Sequence, residues 1–375
     1  MRTKHFLLGL CIVIGTSLFL ILGPAGQQND SLKNIVTQTH QHLKDFQKNL
    51  RDANEKKLEI DQKYLTQLGF IPTHSSLSAS ASASTSSQTI YSINNQTIKT
   101  NFSVVTYTFN GEIASTILHA QNIATKLPNE LLIIYDLGLN EQELQKLQAF
   151  CNNSKCIVIT YDLQQLPSYI FDQQMHAFRP ILIHDALMRS RTILFMENNI
   201  RIRGNSISKE INELKLKTEN NGVGIFGWTT RQATSSRTHP KMFDYFETFA
   251  DSFLFLPMVS LDFIFFTNTN LVNNKIMLPW IKCMLTPECI HPIGAQSGGC
   301  KFNKKPLYRY SGCHGYDVSA FNIVLGLTFG FDETKYSTHD ESSSLYYVET
   351  LEQATKILEN RRKNISDTSE HPFDE

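Results

Sequence analysis

From residue 103 to residue 196 the sequence alternates between short apolar runs and amphipathic stretches, which is the strongest constraint on its fold. Each apolar run is rich in β-branched or aromatic residues and predicts a strand, and each intervening stretch predicts a helix. The predicted strands are 103–109, 131–135, 156–160 and 192–196, and the predicted helices begin at Glu112, Asn140 and Pro180. This alternation predicts a mainly parallel sheet with helices on both faces.

Polar residues follow the predicted strands at their carboxyl ends. Sheets of this kind bind ligands in the crevice outside those ends. The first strand ends in residues 106–110, the second in Asp136, the third in 160–162 and the fourth in 197–199. We therefore expect Thr106 and Asp136 to contact a bound ligand, with Glu197 and Asn199 at the same edge.

The N-terminal segment predicts a membrane anchor. Residues 6–22 form an uncharged apolar run of 17 residues, near the minimum for crossing a hydrocarbon layer about 30 Å thick. Arg2 and Lys4 precede this run, which predicts a cytoplasmic N-terminus and a lumenal remainder, the single-pass type II topology. The alternative is a secreted protein, cleaved near Ala25 as a signal peptide would be.

Cysteine usage agrees with a secretory route. Cys11 lies in the apolar run, and the six remaining cysteines can form three disulfides in an oxidising compartment. Close spacing favours Cys151 with Cys156 and Cys283 with Cys289, which leaves Cys300 with Cys313. Other pairings stay open, and zinc bound by Cys313 and the adjacent His314 is a rival. Candidate N-glycosylation sites are Asn29, Asn95, Asn101, Asn152 and Asn364.

The sequence divides into an N-terminal tether and a larger body. After the cytoplasmic residues 1–5 and the anchor, residues 23–74 predict a partly helical stem. Heptad spacing at Val36, Leu43 and Leu50 is typical of a coiled coil, which would make a homodimer, although a solvated single helix is the alternative. The remaining segments are a Ser/Ala-rich flexible linker at 75–96, a body at 97–340, and a C-terminal helix at 348–361 with a disordered tail within 341–375.

Composition and motifs exclude several classes of function. The chain has 35 Lys and Arg and 35 Asp and Glu, so no overall charge attracts nucleic acid, and we predict no nucleic-acid partner. Gly222, Gly224 and Gly227 match the dinucleotide-binding spacing, but they follow a polar segment and not a strand. The chain has no P-loop, zincin or α/β-hydrolase motif.

Seven short blocks in the body resemble one family. They are residues 135–139, 177–187, 195–202, 238–243, 279–283, 289–294 and 313–322. In this order, across about residues 100–335, they resemble an uncharacterised animal family of type II membrane proteins related to nucleotide-diphospho-sugar transferases. The resemblance implies a GT-A-like, Rossmann-type domain with a mixed, mainly parallel sheet that binds a nucleotide-sugar donor at its strand ends. It also implies a Golgi glycosyltransferase with a glycan or glycoprotein as acceptor.

The resemblance implies roles for individual residues. At the end of the fourth strand, where related enzymes hold Mn or Mg against the donor diphosphate, this chain has Glu197 and Asn199. Arg179 matches a basic position, which implies pairing with the diphosphate. Asp317 matches an acidic position suited to taking the acceptor proton, with His314 beside it. The alternative for Asp317 is the N-cap of the helix that follows.

Departures from the family pattern favour a rival function. Gly315 and Val318 stand where the family has Arg and Gln, and Glu197 stands where it has Asp. These changes remove polar groups from the expected pocket. The alternative is therefore a catalytically inactive lumenal domain that binds sugars or a partner protein.

Overall fold

The structure is a computed structural model, and part of the chain falls outside its description. It describes residues 58–71, 89–93, 96–100, 102–204, 207–303, 306, 308–339 and 344–369. The predicted anchor, most of the stem, and Asn29, Asn95 and Asn101 lie outside these residues. Among the described residues, no helix is long and apolar enough to cross a membrane.

The elements before the main sheet are short. Helix α1 (Gln62–Gln67) belongs to the predicted stem, and strands β1 (Thr89–Ile93) and β2 (Gln96–Thr100) pair as an antiparallel hairpin. Strand β1 therefore lies inside the segment predicted to be a linker. After α1, Phe70 stacks on His184 of the body, and His184 Nε2 donates a hydrogen bond to the Leu68 carbonyl. These contacts hold the end of the stem against the body.

The predicted alternation of strands and helices is confirmed, with each predicted helix start and strand end within one residue. The elements are β3 (Ser103–Thr108), α2 (Ile113–Lys126), β4 (Leu131–Asp136), α3 (Glu141–Cys151), β5 (Cys156–Thr160), α4 (Arg179–Arg189) and β6 (Thr192–Met196). Asn140 caps α3 as predicted, because its side-chain oxygen accepts from the Glu143 amide at 3.0 Å.

The second half of the body adds shorter elements. They are β7 (Ile200–Ile202), α5 (Ile207–Asn220), β8 (Ile225–Ala233), α6 (Pro240–Asp244), β9 (Pro257–Val259), β10 (Phe263–Thr267), α7 (Leu278–Met284), α8 (Pro287–Ile290), α9 (Asp317–Phe329), β11 (Ser337–Thr338), β12 (Tyr346–Val348) and α10 (Leu351–Ser369). Helix α10 extends eight residues beyond the predicted end at Arg361.

The main sheet has eight strands and is mixed, as predicted. Its order is β11-β8-β10-β6-β3-β4-β5, with β9 paired to β8. Strands β6, β3, β4 and β5 are parallel, whereas β10 is antiparallel to both β6 and β8. The amino end of β10 therefore lies at the same edge as the carboxyl ends of β6 and β8. This edge carries the site described below.

Both faces of the sheet are buried, which explains the continuous apolar runs of its strands. Within β4, Ile133 belongs to a core cluster with α4 and α9, while Leu132 and Ile134 belong to a second cluster with α2 and α5. Helices therefore cover both faces.

Three disulfides link the six cysteines in the pairs that close spacing favoured. They are Cys151–Cys156, Cys283–Cys289 and Cys300–Cys313. Cys313, which the zinc alternative requires, is thus bonded to Cys300. The last two disulfides fix segments next to α9.

Gly326 marks the closest packing of α9 against the body. A Cβ atom at this position would lie 2.6 Å from Cε1 of Phe253 and 2.8 Å from Cδ2 of Leu256. Phe253 is fully buried, so its ring would have to shift within the packed core. We predict that Gly326→Ala lowers the free energy of unfolding by about 1–3 kcal/mol, although Ala is the better helix former. Denaturant unfolding with the disulfides intact measures this change.

The matched control is Leu327→Ala, at an exposed position of the same helix. It should change the free energy of unfolding by less than about 0.5 kcal/mol. A Gly326→Ala protein as stable as the unchanged protein would contradict the close packing.

Candidate functional site

An open cleft of about 490 Å³ lies at the sheet edge where β6 and β8 end and β10 begins. Glu197 follows β6, Thr230 lies in β8, and Asp262 precedes β10. The start of α9 supplies another wall through residues 314–316 and Val318. The cleft therefore lies where a sheet of this type places its ligand.

A buried network of charges forms part of the cleft wall, which Arg179 and Glu197 both line. The Arg179 guanidinium donates from Nε and Nη2 to the two oxygens of Asp317, at 2.7 and 2.9 Å, and from Nη1 to Glu197 Oε1 at 2.8 Å. The Tyr107 hydroxyl donates to the other Glu197 oxygen at 2.5 Å. The network joins α4, α9, β6 and β3 at one point.

Burial raises the pKa of both carboxyl groups in the network. It raises the pKa of Asp317 to about 7, although the Arg179 guanidinium acts to lower it. Burial likewise raises the pKa of Glu197 against the effect of Arg179. Burial alone would lower the pKa of Arg179, but Asp317 and Glu197 outweigh it and the pKa is raised. Arg179 is therefore a permanent cation shared by two carboxyl groups.

The network changes the interpretation of Asp317 and Arg179. Asp317 is fully buried, both its oxygens accept from Arg179, and in this conformation no acceptor hydroxyl reaches it. It is the first residue of α9, and Tyr316 occupies the N-cap position, so Asp317 is not the N-cap either. Arg179 is bound to two carboxylates, so its guanidinium has no free pair of N–H groups to donate to a diphosphate. Both residues hold the fold of the site together.

His314 is placed as a structural residue. Its Nε2 donates to the Ile290 carbonyl and its Nδ1 accepts from the His239 amide, both at 3.1 Å. Burial lowers the pKa of His314 to about 3. The ring is therefore neutral, with both nitrogens occupied, and cannot exchange a proton with a substrate in this arrangement.

Thr106 and Asp136 do not line the cleft, contrary to expectation. Thr106 is fully buried in the sheet. The Asp136 carboxylate is also buried, and it accepts from the amides of Gly138 and Leu139 and from the Thr160 hydroxyl. Asp136 thus shapes the turn after β4, and its side chain does not line the cleft. The polar residues at the ends of β3 and β4 therefore stabilise the fold. The cleft lies further along the same edge of the sheet, at the ends of β6 and β8.

Glu197 and Asn199 both line the cleft, as predicted, but they do not form a metal site. Both oxygens of Glu197 are already hydrogen-bonded, to Arg179 and Tyr107. Among the described residues, no group of three or more His, Cys, Asp or Glu side chains is arranged to hold a metal ion. Mg and Mn need several free oxygen ligands, so the side chains as placed do not fit a divalent cation.

Sequence reasoning missed two charged residues of the cleft. Arg237 ends the 3₁₀ turn Thr234–Arg237, and Asp262 directly precedes β10; both are exposed. An acidic residue before a strand lies at the ligand-binding edge only if that strand is antiparallel to its neighbours. The hydrophobic pattern of the sequence does not reveal the strand direction. Arg237 directly precedes the block at 238–243, and this position was the feature of the sequence that could have identified it as a site residue.

Two residues of the cleft wall have a backbone conformation that is rare outside glycine. Tyr316 has φ 49° and His176 has φ 51°. Each such conformation costs on the order of 1–3 kcal/mol and persists only where the surrounding structure enforces it. Both residues line the cleft, which supports a functional role for its shape.

Comparisons with known proteins find likeness in solved structures only; no family model and no curated protein sequence matches this chain. The WbbM bifunctional glycosyltransferase in its apo form is 12% identical with a TM-score of 0.39, over 70% of this chain and 44% of that one. Mouse xyloside xylosyltransferase 1, apo form, is 11% identical with a TM-score of 0.37, over 64% of this chain and 86% of that one. Core-mannan synthase A from Aspergillus fumigatus, Mn/GDP form, is 12% identical with a TM-score of 0.40, over 66% of this chain and 74% of that one. This chain thus spans less than half the length of WbbM.

His176 gives the site a measurable pH dependence. Burial, and then the charge of Arg179, lower the pKa of His176 from 6.5 to about 2. The unfolded chain therefore binds a proton that the folded protein does not, and stability decreases as the pH falls below about 6.5. We predict that His176→Asn, which tolerates positive φ, reduces the loss of unfolding free energy between pH 7 and pH 5 by about 2 kcal/mol. Denaturant unfolding at the two pH values measures it.

The control is Gln174→Asn, a cleft residue of the same loop that does not titrate. It should leave the pH dependence of stability unchanged. The same acid sensitivity in His176→Asn as in the unchanged protein would mean that His176 is protonated in the folded state.

Proposed function

We propose that the protein is a glycosyltransferase, which moves a sugar from a nucleotide-sugar donor to a hydroxyl of a glycan or glycoprotein. The observation that carries this proposal is the open cleft at the carboxyl ends of β6 and β8, with an exposed cation and an exposed carboxylate on its wall. Nucleotides bind at this edge in sheets of this class. The sequence resemblance to nucleotide-diphospho-sugar transferases points the same way.

Arg237 is the residue that we assign to the donor diphosphate. Its side chain is exposed in the cleft, whereas the guanidinium of Arg179 is bound to Asp317 and Glu197. A guanidinium forms charge-assisted hydrogen bonds with phosphate oxygens. When the bond from the anomeric carbon to the diphosphate oxygen breaks, its electron pair leaves with the diphosphate. Arg237 stabilises the charge that develops there.

Asp262 is the residue that we assign to the acceptor proton, in place of the buried Asp317. Of the two carboxylates that line the cleft, Glu197 is hydrogen-bonded on both oxygens and Asp262 is exposed. The acceptor hydroxyl oxygen forms the new bond to the anomeric carbon, and its proton passes to the Asp262 carboxylate. General-base catalysis of this kind requires an accessible carboxylate within reach of the hydroxyl.

Nucleotide binding tests the proposal. We expect calorimetry of the full chain against a panel of nucleotides and nucleotide sugars to find one donor that binds. Arg237→Ala should weaken its binding by about 10- to 100-fold, as loss of a charge-assisted hydrogen bond predicts. The matched control is Arg231→Ala, an exposed arginine of β8 that does not line the cleft, which should retain the affinity.

Titrations with and without Mn²⁺ test the metal separately. Because Glu197 is bound by Arg179 and Tyr107, we expect Mn²⁺ to change nucleotide affinity by less than about twofold. A large gain in affinity with Mn²⁺ that is lost in Glu197→Gln would show that Glu197 leaves this network to bind metal.

A second function is favoured by the same buried network. Arg179 and Asp317 are committed to structure, so a domain that binds a sugar or a partner protein without catalysis agrees with their placement. If no nucleotide or nucleotide sugar binds to the folded, disulfide-bonded protein, the transferase proposal is wrong and this function replaces it.

We further propose that the protein is a single-pass type II membrane protein of the Golgi or another secretory compartment, with residues 6–22 as anchor and the body in the lumen. Secretion after cleavage near Ala25 is the alternative. The three disulfides support either route, because such bonds form and persist in oxidising compartments.

Glycosylation tests this location. Asn152 and Asn364 are exposed and lie in sequons. We predict that Asn152→Gln and Asn364→Gln each remove one glycan from protein made in animal cells, seen as a smaller mobility shift on glycosidase treatment. Asn153→Gln, next to Asn152, keeps the sequon and should keep the glycan. Absence of glycan from both asparagines would contradict a lumenal body.

A further inference from the structure

The C-terminal strand β12 lies beside the cleft, beyond the predicted end of the body at residue 340. It pairs antiparallel with β7, and in this register Val348 lies opposite Ile200. The Tyr346 ring stacks on the ring of Phe263 at the start of β10, with ring centres 4.9 Å apart. Strand β12 therefore packs at the same edge of the sheet that carries the cleft.

Alternate residues of β12 belong to different surfaces. Val348 lines the cleft together with Asn199 and Ile200, and it is 57% exposed. Tyr347 and Glu349 instead line a separate pocket, because neighbouring residues of a strand point to opposite faces. The C-terminal segment thus gives the wall of the cleft an exposed apolar side chain.

A buried arginine joins β12 to the turn that follows β6. Arg201 is 2% exposed, and its Nε donates to the Glu349 carboxylate at 2.9 Å. Its Nη1 donates to the Asn198 carbonyl at 2.6 Å, and its Nη2 donates to the Ser115 carbonyl at 3.0 Å. The Glu349 amide donates to the Asn199 carbonyl at 2.8 Å. Arg201 and Glu349 thus hold the backbone of this turn against β12 and α2.

The held turn carries two side chains of the cleft, Glu197 and Asn199. Residues 197–199 lie between β6 and β7 and belong to neither strand, so the contacts with Arg201 and Glu349 help to fix them. A site side chain keeps its geometry only if the residues around it fix its backbone. Removing Glu349 would leave the buried charge of Arg201 uncompensated, which favours displacement of the guanidinium from this turn.

We propose that the C-terminal segment completes the functional site. Val348 makes an apolar contact with the ligand in the cleft. Arg201 and Glu349 are positioning residues, which hold the turn that carries Glu197 and Asn199. The contact of Val348 is with a bound nucleotide sugar, so this part rests on the proposed function, whereas the positioning of the turn does not.

Hydrogen exchange of the full chain tests the positioning. The Ile200 amide donates to the Glu197 carbonyl within the turn. We expect Glu349→Ala to speed exchange of this amide by roughly tenfold or more, because the unpaired Arg201 no longer holds the turn. Glu349→Gln should speed it by less than about threefold, since a glutamine oxygen still accepts from Arg201. Exchange of the Ile133 amide, in β4 inside the sheet, should change less than that of Ile200.

Nucleotide titration tests the contact of Val348. For the nucleotide sugar that binds the unchanged protein, Val348→Asp should weaken binding by roughly tenfold or more, because a carboxylate replaces the apolar contact and repels the diphosphate. Glu349→Ala should also weaken it, and Glu349→Gln should keep most of the affinity. The matched control is Leu351→Asp, the same change at a residue that is 43% exposed and does not line the cleft. It should retain the affinity, and equal unfolding midpoints show that each variant is folded.

The outcomes separate this proposal from the transferase function. A nucleotide sugar that binds Val348→Asp as tightly as the unchanged protein would show that the C-terminal segment does not contact the ligand, and the transferase proposal would stand. Unchanged exchange of Ile200 in Glu349→Ala, or equal acceleration of Ile200 and Ile133, would show that the ion pair does not position the turn. If no nucleotide sugar binds the unchanged protein, the transferase proposal and the Val348 contact are both wrong, and hydrogen exchange alone decides the positioning.

Discussion

The structure of the site depends on the buried ion pairs of Arg179. This one guanidinium bridges Asp317 at the start of α9 and Glu197 at the end of β6, and Tyr107 of β3 completes the network. Breaking a buried pair by removing one partner typically costs about 3–5 kcal/mol, because a charge is left uncompensated. The position of α9 against the sheet, and with it one wall of the cleft, therefore depends on these contacts.

The same network divides the polar residues into those that build the cleft and those that are free to act in it. Arg179, for which the resemblance implied donor binding, and Asp317, for which it implied catalysis, build the cleft. Arg237 and Asp262 remain exposed on its wall, and they are the groups that we assign to the diphosphate and the acceptor proton. Gly315, which stands where the resembled family has Arg, is closely packed, since a Cβ there would approach Ser319 Oγ to 3.0 Å.

Local patterns predicted the local structure well. The apolar runs located the four parallel strands, the Asn140 cap located the start of α3, and cysteine spacing identified the three disulfides. Each of these features is decided by residues within about a dozen positions of one another. The roles of Asp317 and His314 depend on burial, which places the first against Arg179 and holds the second neutral. The sequence pattern carries no signal for burial of a polar side chain.

By itself, the sequence determined the strands and helices of residues 103–196 and that polar residues follow these strands at one edge of the sheet. Only the tertiary structure decided which of those residues face the cleft. Arg179 and Asp317 are 138 positions apart, and Asp262 reaches the ligand edge only because β10 is antiparallel to its neighbours. The physical reason is that a charged side chain either pairs with another side chain or remains available to a ligand. Its partner comes from a distant part of the chain, and the packing of the whole domain places it there.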